Sequence, residues 1–203
     1  MPLYKEFSTK ETAVLLWKHD EQKEAWHEEI DTQSKISIKK QYERLMVRKM
    51  LNSALPLHQL FYLEDGTPYL EPSSAFISIS HSYPYAVLAI APRKIGVDIE
   101  KKSDKLVRLK EKILYPSEKL WVSSEDEESY LTALWTIKES LYKIHSAKYW
   151  SFREHYEVLP FSLDNLSSVE CKVLNSLTGN ADTYRAKLEI IGEDYYLAVV
   201  EEM

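Results

Sequence analysis

The amino-acid sequence predicts an α+β fold made of two similar α/β halves. Short apolar strands occur in both halves of the chain, and amphipathic helices lie between them. A hydrophobic strand also recurs near the end of each half, at residues 85–90 (YAVLAI) and again at residues 196–200 (YLAVV). We expect the boundary near residue 105, with an N-terminal half over residues 1–105 and a C-terminal half over residues 106–203.

The first half is predicted to contain two helices and three strands. Residues 17–30 are rich in charge and indicate a solvated helix, and residues 34–55 have the periodicity of a long amphipathic helix with a basic flank. A turn is expected at residues 64–68 (EDGTP), because Asp-Gly followed by Pro breaks regular structure. The predicted strands cover residues 75–80, 85–91 and 95–100.

The second half is predicted to be rich in helices first and in strands afterwards. A basic helix is expected over residues 102–114, a helix start at residues 116–118 (PSE), and a strong helix over residues 129–146. Strands are expected over residues 156–159, 171–174, 184–190 and 195–200. The last two are predicted to form a hairpin around residues 192–194.

Composition and charge restrict the class of protein. The chain has 203 residues, of which 44% are hydrophobic and 29% charged, as in ordinary globular proteins. A net charge of −6 argues against a general nucleic-acid binder. No apolar run is long enough to span a bilayer, the N-terminus does not resemble a signal peptide, and a single cysteine, Cys171, excludes an internal disulfide. We therefore expect a cytoplasmic protein without a nucleic-acid or membrane partner.

Residues 96–100 (GVDIE) form the segment with the strongest chemical signal. Side chains at i and i+2 of a strand share a face, so Asp98 and Glu100 point one way while Val97 and Ile99 enter the core. Two carboxylates held this close repel each other unless a cation lies between them, and Mg²⁺ accepts carboxylate, water and phosphate oxygens. A solvated acidic strand face accounts for the spacing equally well.

Two further segments contain candidate groups. In residues 135–143 (WTIKESLYK), Glu139 and Lys143 share a helix face, either as an ion pair worth about 0.2–0.5 kcal/mol or as a carboxylate and a phosphate contact at an active site. In residues 77–82 (ISISHS), a predicted strand ends at His81 between two serines. These donors suit a phosphate, although a histidine that caps the turn is the simpler interpretation.

In this order and at this separation, the three segments resemble the motifs of the 4′-phosphopantetheinyl transferase superfamily. GxDIE followed by WxxKExxxK is the specific part of the match, and the matching region extends from about Lys39 to Lys143. The chain length is similar to that of the surfactin-synthetase-activating type. That resemblance implies a monomeric pseudo-dimer of two fused halves, with the active site in the cleft between them.

The resemblance implies a Mg²⁺-dependent enzyme that transfers the 4′-phosphopantetheine group of coenzyme A. The acceptor is a serine of an apo acyl or peptidyl carrier protein, and adenosine 3′,5′-bisphosphate is released, which is holo-[acyl-carrier-protein] synthase activity. The implied metal ligands are Asp98, Glu100 and Glu139, and Glu139 or a metal-bound water is the implied base. His81 and Lys143 join Glu139 as implied catalytic residues. The implied coenzyme contacts are Lys39, Lys40, Arg48, Ser80, His81, Lys138 and Lys143.

The sequence departs from the family pattern at two places. Family members often have Gly-Lys-Pro where this chain has Gly66-Thr67-Pro68, and glycines where it has residues 147–150 (AKYW). A basic and apolar segment at residues 101–113 is a candidate dock for an acidic carrier protein, unless its leucines face the protein's own core. Two other functions remain open: a non-catalytic module that binds coenzyme A or a carrier protein, and a Mg²⁺-dependent phosphohydrolase.

Overall fold

The computed structural model describes residues 3–8, 11–20, 26, 29–175 and 177–203. The chain divides into two compact units, Met1–Arg93 and Lys94–Met203. This boundary differs from the one expected near residue 105 because the strand Ile95–Lys101 pairs along its whole length with Tyr195–Glu202, close to the C-terminus. The strand that contains the GVDIE segment therefore belongs to the second unit.

The first unit contains a four-stranded antiparallel sheet and one long helix. Its elements are β1 (Leu3–Ser8), β2 (Ala13–Lys18), α1 (Ile38–Ala54), β3 (Gln59–Tyr62), β4 (Pro68–Glu71), β5 (Phe76–Ser82) and β6 (Tyr85–Ala91). The sheet has the strand order β1-β2-β6-β5, and α1 packs mainly against β6. Strands β3 and β4 form a separate hairpin around the turn predicted at residues 64–68.

The second unit contains a five-stranded antiparallel sheet, against which one long helix packs. Its elements are β7 (Ile95–Lys101), α2 (Asp104–Arg108), α3 (Lys110–Ile113), α4 (Glu127–Ile144), α5 (Phe152–His155), β8 (Tyr156–Val158), β9 (Val169–Leu174), β10 (Ala181–Ile191) and β11 (Tyr195–Glu202). The sheet has the strand order β7-β11-β10-β9-β8. A short 3₁₀ turn covers Glu118–Leu120.

The two units share an order of elements. In each unit a strand precedes the long helix, a hairpin follows the helix, and the first strand pairs with the second strand of that hairpin. The matching series are β2-α1-β5-β6 and β7-α4-β10-β11. The two recurring strands that the sequence revealed are β6 and β11, which occupy the same place in the two series. The mixed α+β class is confirmed.

Both long helices follow the predicted amphipathic pattern. Helix α1 begins after Ser37, whose side chain accepts a hydrogen bond from the backbone N–H of Lys40, and it buries Met46 and Met50. Helix α4 buries Leu134 and Ile137 completely, on the stripe that its spacing predicted. Within the part of the chain that the structure describes, no helix has the length and apolar character needed to cross a bilayer.

Three elements differ from the sequence-based expectation. Residues 17 and 18 end strand β2, so the helix expected over residues 17–30 does not begin there, and residues 21–25, 27 and 28 lie outside the described residues. The helix expected over residues 102–114 divides at Leu109 into α2 and α3. The helix start expected at residues 116–118 leads only to the short 3₁₀ turn.

A buried ion pair anchors α4 to the segment before it. The ammonium of Lys138 lies 2.7 Å from Oε2 of Glu118 and donates to the Ile113 carbonyl at 2.8 Å, and both charged side chains are fully buried. Glu118 also accepts the backbone N–H groups of Val158 and Tyr115. This corrects the prediction that Lys138 contacts coenzyme phosphates, because its charge is enclosed by its own unit.

We expect Lys138→Met to destabilise the protein by about 3–5 kcal/mol, because Glu118 would keep a buried charge without its partner. The double variant Lys138→Met/Glu118→Gln should recover much of that loss, since glutamine still accepts hydrogen bonds. Lys119→Met, which removes the exposed contact to Glu111, is the matched control and should change stability little. Chemical denaturation of the variants measures all three effects, and a loss for Lys138→Met as small as that of the control would contradict this role.

Candidate active site

Helix α4 lies in close contact with strand β7 at Gly96. A Cβ atom placed on Gly96 would lie 2.0 Å from the carbonyl oxygen of Ser140, which is closer than any real contact allows. Ser140 is fully buried, and its hydroxyl donates to the Thr136 carbonyl. The backbone of α4 therefore lies directly on β7, which brings the polar residues of the two elements together.

Asp98 and Lys143 form the central contact between these elements. The ammonium of Lys143 lies 2.7 Å from Oδ1 of Asp98 and donates to the Val97 carbonyl at 2.9 Å. Asp98 is only 4% exposed. A carboxylate buried to this extent needs a positive partner, and Lys143 supplies it.

Glu100 faces the same helix as Asp98. The indole Nε1–H of Trp135 donates to Oε1 of Glu100 at 3.1 Å. Because Asp98 and Glu100 both bond to residues of α4, they share one face of β7, in agreement with the strand alternation read from the sequence. Burial and the nearby Asp98 raise the pKa of Glu100, and the Trp135 hydrogen bond opposes that shift.

Glu139 is the third carboxylate of the cluster. Burial raises its pKa to about 7, the charge of Asp98 adds to the shift, and the Lys143 ammonium opposes it. The cluster thus combines three carboxyl groups with one ammonium. The pKa values of two of these carboxyl groups, Glu100 and Glu139, are raised, which favours their neutral forms. A cation among them would remove both the repulsion and the penalty of burial.

The donor chemistry of this cluster fits a hard divalent cation. Carboxylate oxygens are the ligands that Mg²⁺ prefers. Burial is the largest cause of the raised pKa values of Glu100 and Glu139, and the charge of Asp98 adds to both shifts. Among the described residues, no three acidic, histidine or cysteine side chains are already grouped as metal ligands. The Lys143 ammonium instead contacts Asp98 at the centre of the group, so cation binding requires this side chain to move.

A second candidate region lies wholly within the first unit. A groove of about 800 Å³ has an apolar wall formed by Val47, Leu51, Leu60, Tyr62 and Ile79. Its basic residues are Lys40, Arg44 and Arg48, four apart on one face of α1, together with His58 and His81. This combination of aliphatic, aromatic and cationic side chains suits an anionic ligand that also has a flat organic group.

Two predicted residues of this groove are already engaged by acids. The Arg48 guanidinium lies 2.6 Å from Oε2 of Glu29, whose other oxygen contacts Lys49 at 2.7 Å. Nδ1 of His81 lies 3.2 Å from the buried carboxylate of Glu43. A phosphate that bound Arg48 would compete with Glu29, whereas the Glu43 contact orients His81.

Two of the predicted coenzyme contacts of the first unit lie outside the groove wall. Lys39 is exposed and Ser80 is buried, and neither lines the groove. Arg44, which was not among the predicted contacts, does line it and makes no ion pair with any described residue. Its spacing of four from both Lys40 and Arg48 was visible in the sequence and could have identified it.

Residues 101–113, the segment predicted to dock a carrier protein, pack partly into the hydrophobic core of the second unit. Leu106 and Ile113 are buried, and Leu109 packs against the same hydrophobic cluster. The exposed side of the segment includes Lys105 and Lys112. The apolar side chains thus follow the alternative in which they face the core, and the cations remain on the surface.

A known protein family matches the part of the chain that contains β7 and α4. The family model described as the 4′-phosphopantetheinyl transferase superfamily matches residues 94–200, which is more than half of the chain and nearly all of the second unit. The chain belongs to this superfamily. It is also 30% identical, over 119 residues, to the protein described as 4′-phosphopantetheinyl transferase gsp of Aneurinibacillus migulanus. That similarity covers 53% of this chain and 50% of the relative, so the chain spans about half the length of the curated relative it matches.

The close approach at Gly96 gives a test of the site's architecture. We expect Gly96→Ala to destabilise the protein by about 3 kcal/mol, at the upper end of overpacking effects, because the new methyl group meets backbone that cannot rotate away. Gly192→Ala is the matched control: it has open space around it and a φ of +65°, so it should cost about 1 kcal/mol. Denaturation midpoints measure both changes. Equal losses in the two variants would show that α4 can move away from β7 at little cost.

Proposed function

We propose that this protein transfers the 4′-phosphopantetheine group of coenzyme A to a serine of an apo carrier protein. The observation that supports this most directly is the cluster of Asp98, Glu100, Glu139 and Lys143 where β7 and α4 meet. It lies inside the region that matches the transferase superfamily, and its chemistry suits a pyrophosphate with a divalent cation.

In the proposed site, Asp98, Glu100 and Glu139 would hold Mg²⁺. When bound, the cation would supply positive charge to the pyrophosphate oxygens of coenzyme A. Lys143 would donate to a phosphate oxygen, since its ammonium already lies at the cluster in contact with Asp98. These groups act on charge that accumulates during phosphoryl transfer, which is the main task of a protein in this chemistry.

The proposed reaction needs one proton acceptor. The serine oxygen forms a bond to the phosphorus on the pantetheine side, the bond from that phosphorus to the bridging oxygen breaks, and adenosine 3′,5′-bisphosphate leaves with the electron pair. Glu139 is our candidate acceptor for the serine proton. Its carboxylate would accept the proton directly or through a metal-bound water that it orients, as general bases do.

The groove of the first unit is the proposed site for the nucleotide end of coenzyme A. The stripe of Lys40, Arg44 and Arg48 would bind the ribose 3′-phosphate, and His81, oriented by Glu43, would donate to a phosphate oxygen. We retain Lys40, Arg48 and His81 from the sequence-based set and add Arg44. Lys39 and Ser80 are not retained as direct contacts because they do not line the groove.

The carrier protein is proposed as an acidic domain, and the exposed cations of α2 and α3 would attract it through long-range charge. The experiment that tests the function is incubation of candidate apo-carriers with coenzyme A and Mg²⁺, followed by intact-protein mass spectrometry. A gain in carrier mass equal to phosphopantetheine is the expected result. Release of adenosine 3′,5′-bisphosphate without any carrier would instead favour the phosphohydrolase.

We expect Asp98→Asn, Glu100→Gln and Glu139→Gln each to reduce transfer at least about 100-fold, because each removes charge from the proposed cation site while it preserves shape. The matched control is Glu189→Gln, an acid of β10 outside the cluster, which should transfer at the wild-type rate. Rates are measured under saturating coenzyme A and Mg²⁺. A cluster variant with near-normal turnover would remove that residue from the proposed site.

The basic stripe makes a separate prediction about the coenzyme. Arg44→Ala should weaken the binding of coenzyme A by about 10-fold or more, as expected for the loss of a charge-assisted hydrogen bond to phosphate. It should hardly affect 3′-dephospho-coenzyme A, and Lys39→Ala, the control outside the groove, should affect neither ligand. Calorimetry compares the two ligands. Equal losses for both would mean that Arg44 does not contact the 3′-phosphate.

A further inference from the structure

We infer that Trp135 is a positioning residue, whose indole N–H holds the Glu100 carboxylate in the orientation that a divalent cation requires. The inference rests on the proposed function, because it assigns a task to Trp135 within the same site. Trp135 does not itself bind the cation, since an indole offers a donor and no lone pair for a metal.

The hydrogen bond to Glu100 is the first observation behind this inference. Nε1 of Trp135 lies 3.1 Å from Oε1 of Glu100, and the indole stands one helical turn before Glu139 on the same face of α4. Asp98 and Glu100 lie two residues apart on one face of β7, and two carboxylates this close repel each other. A donor bonded to Oε1 opposes that repulsion and leaves Oε2 for a cation.

The second observation is that the indole ring is itself held in place. It meets the ring of Phe152 edge-on at 5.2 Å, and Phe152 meets Tyr156 edge-on at 5.2 Å. Tyr156 is fully buried, and its hydroxyl donates to the Tyr149 carbonyl at 3.0 Å. The three rings therefore connect the Glu100 carboxylate to the rigid interior of the second unit, which is what a positioning role requires.

Trp121 provides a matched control within the same unit. Its indole nitrogen is also buried, but it has no hydrogen-bond partner among the described residues. The ring packs against Tyr130 and Phe161 by edge contacts. Trp→Phe at either position makes the same chemical change, yet only the change at Trp135 removes a hydrogen bond to a proposed metal ligand.

The test is calorimetric titration of Mg²⁺ into protein saturated with coenzyme A, without any carrier, so that no turnover occurs. We expect Trp135→Phe to bind Mg²⁺ about 10–100-fold more weakly than the wild type, the usual effect of losing a group that orients a metal ligand. Trp121→Phe should bind Mg²⁺ as the wild type does. In kinetics, the KM for Mg²⁺ should rise in Trp135→Phe while the KM for the carrier stays constant.

Equal Mg²⁺ affinity in the two tryptophan variants would overturn the inference and leave the proposed function intact. A wild-type protein that binds no Mg²⁺ would overturn both. If Trp135→Phe fails to fold, the wild-type indole N–H resonances decide: the Trp135 signal should shift when Mg²⁺ is added and the Trp121 signal should not. A Trp135 signal that does not respond to saturating Mg²⁺ would also overturn the inference.

Discussion

Helix α4 can lie on strand β7 only because residue 96 carries no side chain. The Ser140 carbonyl occupies the space where a Cβ would be, and this contact sets the distance between the helix and the strand. The ammonium of Lys143 can then reach Asp98, and the indole of Trp135 can reach Glu100. The polar chemistry of the second unit thus depends on a steric condition at one glycine.

The same close approach explains why the pKa values of Glu100 and Glu139 are raised. Packing a helix on a sheet removes water from the residues between them, and burial is the largest cause of the raised pKa values of Glu100 and Glu139. Lys138, one position before Glu139, is buried as well, but its ammonium is paired one to one with the Glu118 carboxylate at 2.7 Å. Where β7 and α4 meet, by contrast, three carboxyl groups share one ammonium.

The two units use one order of elements for different chemistry. Strand β2 (AVLLWK) has no acid where β7 has Asp98 and Glu100, and its core positions are apolar. Helix α1 carries the basic stripe of Arg44 and its neighbours, whereas α4 presents Trp135 and Glu139. A shared order of elements therefore does not set the chemistry of a unit, and the side chains decide which ligand each unit suits.

The sequence by itself determined the α+β class, the two long helices, most strands of the second sheet, and the motifs at residues 96–100 and 135–143 that lie within the superfamily match. These features follow from local periodicity and spacing, which a single segment contains. Only the tertiary structure decided that Lys138 is enclosed and that Lys143 contacts Asp98. Neighbouring positions on a helix point in different directions. The partner of each charged side chain therefore depends on which distant segment packs against its face of the helix. A local sequence pattern does not contain that information.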